Sequence, residues 1–291
     1  MAAGSITESN AMNVGVFMFL TSKTIDVVSL AQRVEAMGFD SLFLPEHAAV
    51  PVAMTSQYPA GEEFPDEYRR MYDPFVALAA AATVTERIKL GTAIAIVPER
   101  HPLLSAKVVA SLDQVSRGRV IYGVGCGWIK EEGALFDVDW RRRWTQTGDF
   151  IRAMKACWGP SPAEYAGSHI RFPKLVCEPK PVQQPHPPIL IAGELEQAVE
   201  RIAAYGDGWM PRYLWCKQAD IEQGRKRLET LYAEAGRDIS RLDISLFGGH
   251  PTREFHRSFA DAGANRVIHF LPMEPEAQTL QRLEDIAATL P

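Results

Sequence analysis

Apolar residues along this chain fall into short unbroken blocks, separated by longer amphipathic stretches. The blocks lie at residues 14–20, 41–44, 88–97, 119–124, 189–192, 208–210, 242–247 and 266–271. They are too short for helices and do not alternate with polar residues. Such runs read as strands buried on both faces, the condition of a parallel sheet. Between them apolar residues recur at helical spacing. The first helix places Val27, Leu30, Ala31, Val34 and Met37 on one face, with Thr24 as its expected cap and Gly38 as its stop. Asp73-Pro74 predicts a second start, a capping carboxylate followed by proline where no amide hydrogen is needed. A helix over 103–116 presents Leu104, Val108, Leu112 and Val115, and further helices are expected over 140–158, 194–205, 221–235, 252–262 and 275–290. Residues 129–139 read as an irregular turn. Residues 159–188 hold eight prolines and read as an excursion within one domain, because the strand-then-helix rhythm resumes directly after them.

Eight strands, each followed by a helix, predict an α/β protein of the (β/α)8 TIM barrel class with loop insertions. The domain is expected over 13–291, behind a flexible N-terminal tail at 1–12 whose small polar residues show no periodicity. Active sites of such barrels sit at the C-terminal strand ends. Phe19, Glu46, His47, Ile96, Gly125, Gly127, Trp128, Gly193, Arg212, Gly248 and His250 all follow a strand and form the candidate list. Gly123, Gly125 and Gly127 stand two apart, which is not the dinucleotide-binding spacing.

Composition narrows the partners. The 291 residues carry a net charge of −5, which disfavours nucleic acid. The Arg141-Arg142-Arg143 run reads as a solvated helix start. No apolar stretch approaches the ~20 residues that span a bilayer, and no signal peptide is visible, so a cytoplasmic location is expected. Four cysteines share no metal-ligand spacing, so no metal is expected and Cys126 reads as a small strand-end filler. That leaves a small-molecule substrate and at most a second copy of the chain, as a homodimer.

His47 is the strongest candidate for proton chemistry, because histidine titrates near neutrality. Glu46 is its expected carboxylate partner. His101 and His256 read as surface residues, His186 as structural, and Glu131-Glu132 as a helix-start charge pair. Tyr58, Phe64, Tyr68 and Tyr72, in a long loop over 48–72, read as a lid over a greasy substrate or as a cover on the barrel mouth.

Five segments in order carry a resemblance. They are Leu44-Pro45-Glu46-His47; Lys89 to Ile94; Gly123 to Trp128 with Glu131-Glu132; Pro179-Lys180-Pro181 with Pro187-Pro188-Ile189; and Tyr205 to Trp209. Together they resemble the bacterial luciferase-like flavin and deazaflavin oxidoreductases over nearly the whole chain. The resemblance implies a (β/α)8 barrel and a cofactor, coenzyme F420 or alternatively FMN. It implies that His47 lies beside the cofactor ring and that Ala93-Ile94 is a non-proline cis peptide backing the ring. It places Gly125, Gly127 and Trp128 at the ring, and Ala192-Gly193 at the cofactor phosphate, with Arg212 as a further phosphate ligand and Lys217 near an acidic F420 tail. F420 is accordingly expected to bind more tightly than FMN. The implied activity is hydride transfer between F420 and a small organic substrate, with an FMN-dependent monooxygenase or a cofactor-binding protein without turnover as alternatives. Trp128 stands where F420-dependent sugar-phosphate dehydrogenases have a carboxylate, which places the chain outside that substrate class. Glu194 replaces the small residue usual after the phosphate-binding glycine.

Overall fold

A computed structural model of the chain describes residues 12–59, 61 and 63–291; the expected tail, Met12 apart, lies outside the described residues. The first half contains β1 (Asn13–Met18), α1 (Val27–Ala36), β2 (Ser41–Leu44), α2 (Pro74–Thr83), β3 (Lys89–Thr92), β4 (Ala95–Ile96), α3 (Pro102–Val115), β5 (Val120–Gly125) and α4 (Lys130–Leu135). The second contains α5 (Arg143–Trp158), β6 (Ala163–Ala166), β7 (Arg171–Leu175), β8 (Ile189–Ala192), α6 (Leu195–Tyr205) and β9 (Gly208–Met210). It ends with α7 (Gln218–Glu234), β10 (Asp243–Phe247), α8 (Arg253–Asp261), β11 (Arg266–Leu271) and α9 (Glu276–Ala287).

Every sheet pairing except that of β6 with β7 is parallel, and the sheet closes on itself. β1 pairs with β11 from Asn13 opposite Arg266 to Met18 opposite Leu271. On the far side both β3 and β4 pair with β5. The ring therefore has eight parallel staves, β3 and β4 sharing one, which is the predicted TIM barrel. The single strand expected over 88–97 is divided at Ala93–Ile94, whose peptide bond is cis.

Alternate strand residues fill the inside and the outside. Inside, Phe17, Phe19, Phe43, Ile121, Leu190, Met210 and Ile268 form one buried cluster. Outside, residues such as Val16, Leu42, Leu90, Val124, Ile191 and Trp209 pack under the helices. Gly123 is dictated by this closeness: a Cβ there would lie 2.1 Å from the Thr92 carbonyl oxygen and 2.8 Å from Met210 Cε. The N-terminal end is sealed by a buried cation. Arg266 donates to Asp40 at 2.6 Å, Asp243 at 2.8 Å and Ser245 at 2.7 Å, tying β11 to β10 and to the start of β2.

Several local expectations are corrected. Asp26, not Thr24, caps α1, accepting from the amides of Val28 and Ser29, because Thr24 Oγ1 is bonded to Thr21. Asp73 caps α2 as expected. Helix α3 buries Leu112 as expected and packs Val108 half-buried on the core, whereas Leu104 and Val115 are exposed; Ala106, Val109 and Ala110 complete the buried face. The irregular turn at 129–139 contains α4. The proline-rich excursion contains the β6–β7 hairpin, held to α5 by Asp149, which accepts from the Tyr165 hydroxyl and the amides of His169 and Ile170.

His256 is buried, not on the surface, and its Nε2 lies 2.8 Å from Nε2 of buried His269. One imidazole donates and the other accepts, so the pair is made by two neutral rings. Burial pushes His269 down to about 4, with His256 adding to the shift, and burial also lowers His256. A histidine depressed in the folded state contributes stability that is full above its unfolded pKa, ~6.5, and is lost as pH falls toward the folded value. The unfolding temperature should therefore drop between pH 6.5 and 4 more steeply in the wild type than in His269→Gln. Parallel pH profiles from calorimetry would remove the pair as the cause.

Candidate functional site

His47 leaves the barrel directly after β2 and turns toward α4. Its Nδ1 lies 2.5 Å from Glu132 Oε2, and the side chain of Glu132 is completely buried. Glu132 Oε1 also accepts from the Ala49 amide at 3.3 Å. A carboxylate on Nδ1 fixes that nitrogen as the N–H donor and leaves Nε2 to exchange a proton with a neighbour. The His47 ring sits 4.9 Å from the Tyr68 ring and 6.1 Å from Trp128.

Glu46 is not the partner of His47. Its buried carboxylate accepts from the Ile96 amide at 2.7 Å and from Arg100, which also binds Asp73. Glu46 thus anchors β4 to the end of β2. Adjacent residues on an extended segment point to opposite sides, so Glu46 and His47 cannot share one partner. Behind Gly127 lies a third acid, Glu99, with Oε2 buried and unpartnered. Burial, then the charges of Glu132 and Glu46, push Glu99 up to about 9, so it holds its proton at neutral pH.

The 48–72 loop folds over this end of the barrel. Trp128 contacts the rings of Tyr58, Phe64 and Tyr68, each at 5.8 Å between centroids. Tyr68 in turn contacts Phe19 at 4.9 Å. Burial holds the Tyr68 phenol above its usual range. Tyr72 is exposed. Glu131 ties the loop down, accepting from Thr55 N and Oγ1 at 2.7 Å and from Ser56 Oγ at 2.6 Å. These bonds pull Glu131 down to about 2. The two adjacent glutamates stand in the first turn of α4, as expected, and have separate duties there, one on the loop and one on His47.

Across the mouth, half-buried Ala93 and Ile94 pack on the inner cluster. A Cβ at Gly125 would come 2.7 Å from Ile94 Cδ1, so the bare glycine face and the isoleucine meet directly. Gly127 has φ +77°, a conformation that favours glycine. Gly125 thus meets Ile94, and Gly127 lies against Ile96, while Trp128 packs with the rings of the loop.

A second group gathers at the end of β8. Ala192 is half-buried and Gly193 exposed, with φ +128°. Arg201 Nη1 lies 4.0 Å from the position of a Cβ on Gly193. Arg201 stacks on Trp144 at 3.8 Å and Arg143 on Trp140 at 4.3 Å. Arg143 Nε and the buried Tyr205 hydroxyl have no partner. Burial lowers the Arg201 pKa, and the Arg143 charge contributes to the same shift. Cys126, at the end of β5, is a buried thiol raised by burial and opposed by Arg143. The Glu194 side chain is exposed and makes no capping bond to α6; its carbonyl accepts from Gln197 at 3.2 Å, which leaves the amides of Leu195 and Glu196 open. Neither arginine was singled out by sequence. The pattern available was the Arg141–Arg143 run, which reads as solvated.

Arg212 follows β9 and stacks on Trp215 at 4.7 Å and on Phe247 at 5.7 Å. Lys217 instead donates to the Tyr213 carbonyl at 3.0 Å. His250 is exposed, against Tyr213 and Phe255, and is not gathered with His47. His101 is exposed and caps α3; His186 is buried beside Asp207. Among the described residues no cluster of three or more His, Cys, Asp or Glu could hold a metal, and no helix is long and apolar enough to cross a membrane.

Comparison with known proteins supplies the remaining information. A family model described as luciferase-like monooxygenase matches residues 12–288. An uncharacterized protein of Mycobacterium tuberculosis is 35% identical over 289 residues, covering 96% of this chain and 99% of its own. An FMNH2-dependent dimethylsulfone monooxygenase of Pseudomonas putida is 30% identical over 181 residues, 61% of this chain and 46% of that protein. The solved structure of an F420-dependent secondary alcohol dehydrogenase, in complex with an F420–acetone adduct, superposes with a TM-score of 0.75 at 16% identity, covering 96% of this chain and 98% of that one.

Proposed function

This chain belongs to the luciferase-like monooxygenase family, and on that premise we propose that it is an F420-dependent oxidoreductase acting on a small organic substrate. The observation that carries the reading is His47, held by buried Glu132 at the barrel mouth with Nε2 left to exchange a proton. Hydride transfer to or from carbon needs a proton acceptor or donor beside it, and this pair supplies one.

The residues fit a flat ring with a phosphate arm. Ala93, Ile94 and the bare face of Gly125 offer an apolar platform. Arg143, Arg201, the unpartnered Tyr205 hydroxyl and the open start of α6 offer donors to an anion beside Gly193. When bound, the deazaflavin supplies hydride acceptance and donation. The chain's own residues do the rest. His47 takes or returns the substrate proton at Nε2, while Glu132 keeps the ring oriented through Nδ1. Trp128, Tyr58, Phe64 and Tyr68 exclude water from the mouth, and Glu131 holds the loop that carries three of them. Glu46 acts here only through the position of Ile96.

A second reading, an FMN-dependent monooxygenase using reduced flavin and oxygen, is favoured by the resemblance to the dimethylsulfone monooxygenase. Titrating the protein with each cofactor, followed by fluorescence, separates the two. F420 should bind at least tenfold more tightly than FMN, and a substrate screen should then bleach or restore the deazaflavin absorbance without oxygen. Tight FMN binding without F420 binding would transfer the assignment to the monooxygenase. Binding without turnover on any substrate would leave a cofactor carrier.

A further inference from the structure

Strand alternation puts Arg212 on a different side from Arg143 and Arg201. Trp209 points outward, where a Cβ on Gly224 of α7 would come within 2.6 Å of its ring. Met210 points inward, into the cluster with Phe17, Phe43 and Ile268. Arg212, two residues on, returns to the inner side, and its bridge with Phe247 continues the β9–β10 ladder. Arg143 and Arg201 instead project from α5 and α6, in the outer layer.

Arg212 is half-buried and stacked against Trp215 and Phe247, yet among the described residues no carboxylate pairs with it and its side chain makes no hydrogen bond. Two other guanidinium groups show the contrast: Arg100 is answered by Glu46 and Asp73, and Arg266 by Asp40 and Asp243, whereas Arg212, like Arg143 and Arg201, has no carboxylate among the described residues. Stacking uses the faces of the guanidinium and leaves its five edge N–H donors open. The surrounding wall is aromatic, with Phe247 against Phe17 at 4.8 Å and Phe17 against Phe19 at 5.1 Å. A planar oxyanion on an apolar body matches that setting, because a carboxylate takes two parallel N–H bonds from one guanidinium.

We propose that Arg212 is the carboxylate-binding residue of the substrate site, and that the substrate class is a small carboxylic acid with an apolar body. This deepens the F420-dependent reading and rests on it. It also departs from the role that the family resemblance implies for Arg212, since the function proposed above gives the cofactor phosphate to Arg143 and Arg201.

The test uses the cofactor-loaded protein with hexanoate and hexan-1-ol as probes, read by the cofactor's fluorescence and by calorimetry. Hexanoate should bind at least tenfold more tightly than hexan-1-ol, and added salt should narrow the gap. Arg212→Gln should abolish the preference, Arg212→Lys should restore part of it, and cofactor affinity should stay within twofold in both. Equal binding of the two probes to the wild type overturns the proposal. So does a tenfold loss of cofactor affinity in Arg212→Gln, which would make Arg212 a cofactor ligand. If neither F420 nor FMN binds the wild type, the parent reading fails; calorimetry of hexanoate on the cofactor-free protein and on Arg212→Gln still decides the role of Arg212.

Discussion

Replacing His47 by Asn should lower turnover by about 10²–10⁴ while leaving the fold intact. The asparagine amide can still donate to Glu132 from near the position of Nδ1, so the buried carboxylate keeps a partner. What disappears is Nε2, the atom assigned to the substrate proton. His47→Ala is a poorer probe, because it strands a carboxylate whose side chain has no solvent exposure. Breaking a buried pair in that way costs about 3–5 kcal/mol of stability, and lost folding would be mistaken for lost chemistry. Glu132→Gln keeps the shape and removes the charge, so it should slow turnover and move the pH profile while preserving secondary structure. The measurement is kcat against pH on any substrate found in the F420 screen, with circular dichroism on each variant. Wild-type turnover in His47→Asn would reduce His47 to a structural residue.

The barrel was legible because its strands are buried on both faces. Blocks such as Ile189–Ala192 have no polar face to confuse the period, and they stand at intervals that only a strand–helix repeat fills. The cap at Asp73-Pro74 was legible for the same local reason: both residues act within one turn. The partner of His47 was not. Glu46 is adjacent in sequence, but the chain's extended course turns it toward Ile96 and Arg100, and the actual partner lies 85 residues further on. Periodicity carries no information about which of two neighbouring acids a barrel closure brings to a given histidine. Glu131 and Glu132 looked like a charged helix start because they are one; their separate contacts depend on how the 48–72 loop folds back. The face of α3 was read only in part: Val108 and Leu112 pack on the core, but Leu104 and Val115 are exposed, and small Ala106 and Ala110 are buried in a way that hydrophobic spacing does not single out. Buried His256 was missed because its partner, His269, sits on a later strand.

The cation pair beside Gly193 carries the largest binding prediction. Arg143 and Arg201 have no carboxylate partner among the described residues, and each lies over a tryptophan that holds it in place. Burial, together with the Arg143 charge, lowers the affinity of Arg201 for its proton, and an anion between the two arginines would reverse that cost. The buried Nε of Arg143 and the buried Tyr205 hydroxyl are donors without acceptors. A cofactor phosphate would satisfy them, together with the open first amides of α6. A hydrogen bond to a charged group contributes about 1.5–3 kcal/mol. Arg201→Met and Arg143→Met should therefore each weaken a phosphorylated cofactor about tenfold or more, with methionine keeping much of the packing on the tryptophan. The control is the same ring without phosphate: riboflavin beside FMN, and the phosphate-free deazariboflavin beside F420. The phosphate-free compounds should bind wild type and variants within twofold of each other. Glu194→Ser should act in the opposite direction, strengthening the phosphorylated forms by removing a carboxylate from the start of α6. Fluorescence titration at low and moderate salt reads all of these, and the variants should also lose most of the salt dependence. Equal loss of phosphorylated and phosphate-free compounds in Arg201→Met would mean that the arginine supports the ring's surroundings, and the phosphate would then have to be held elsewhere on the barrel.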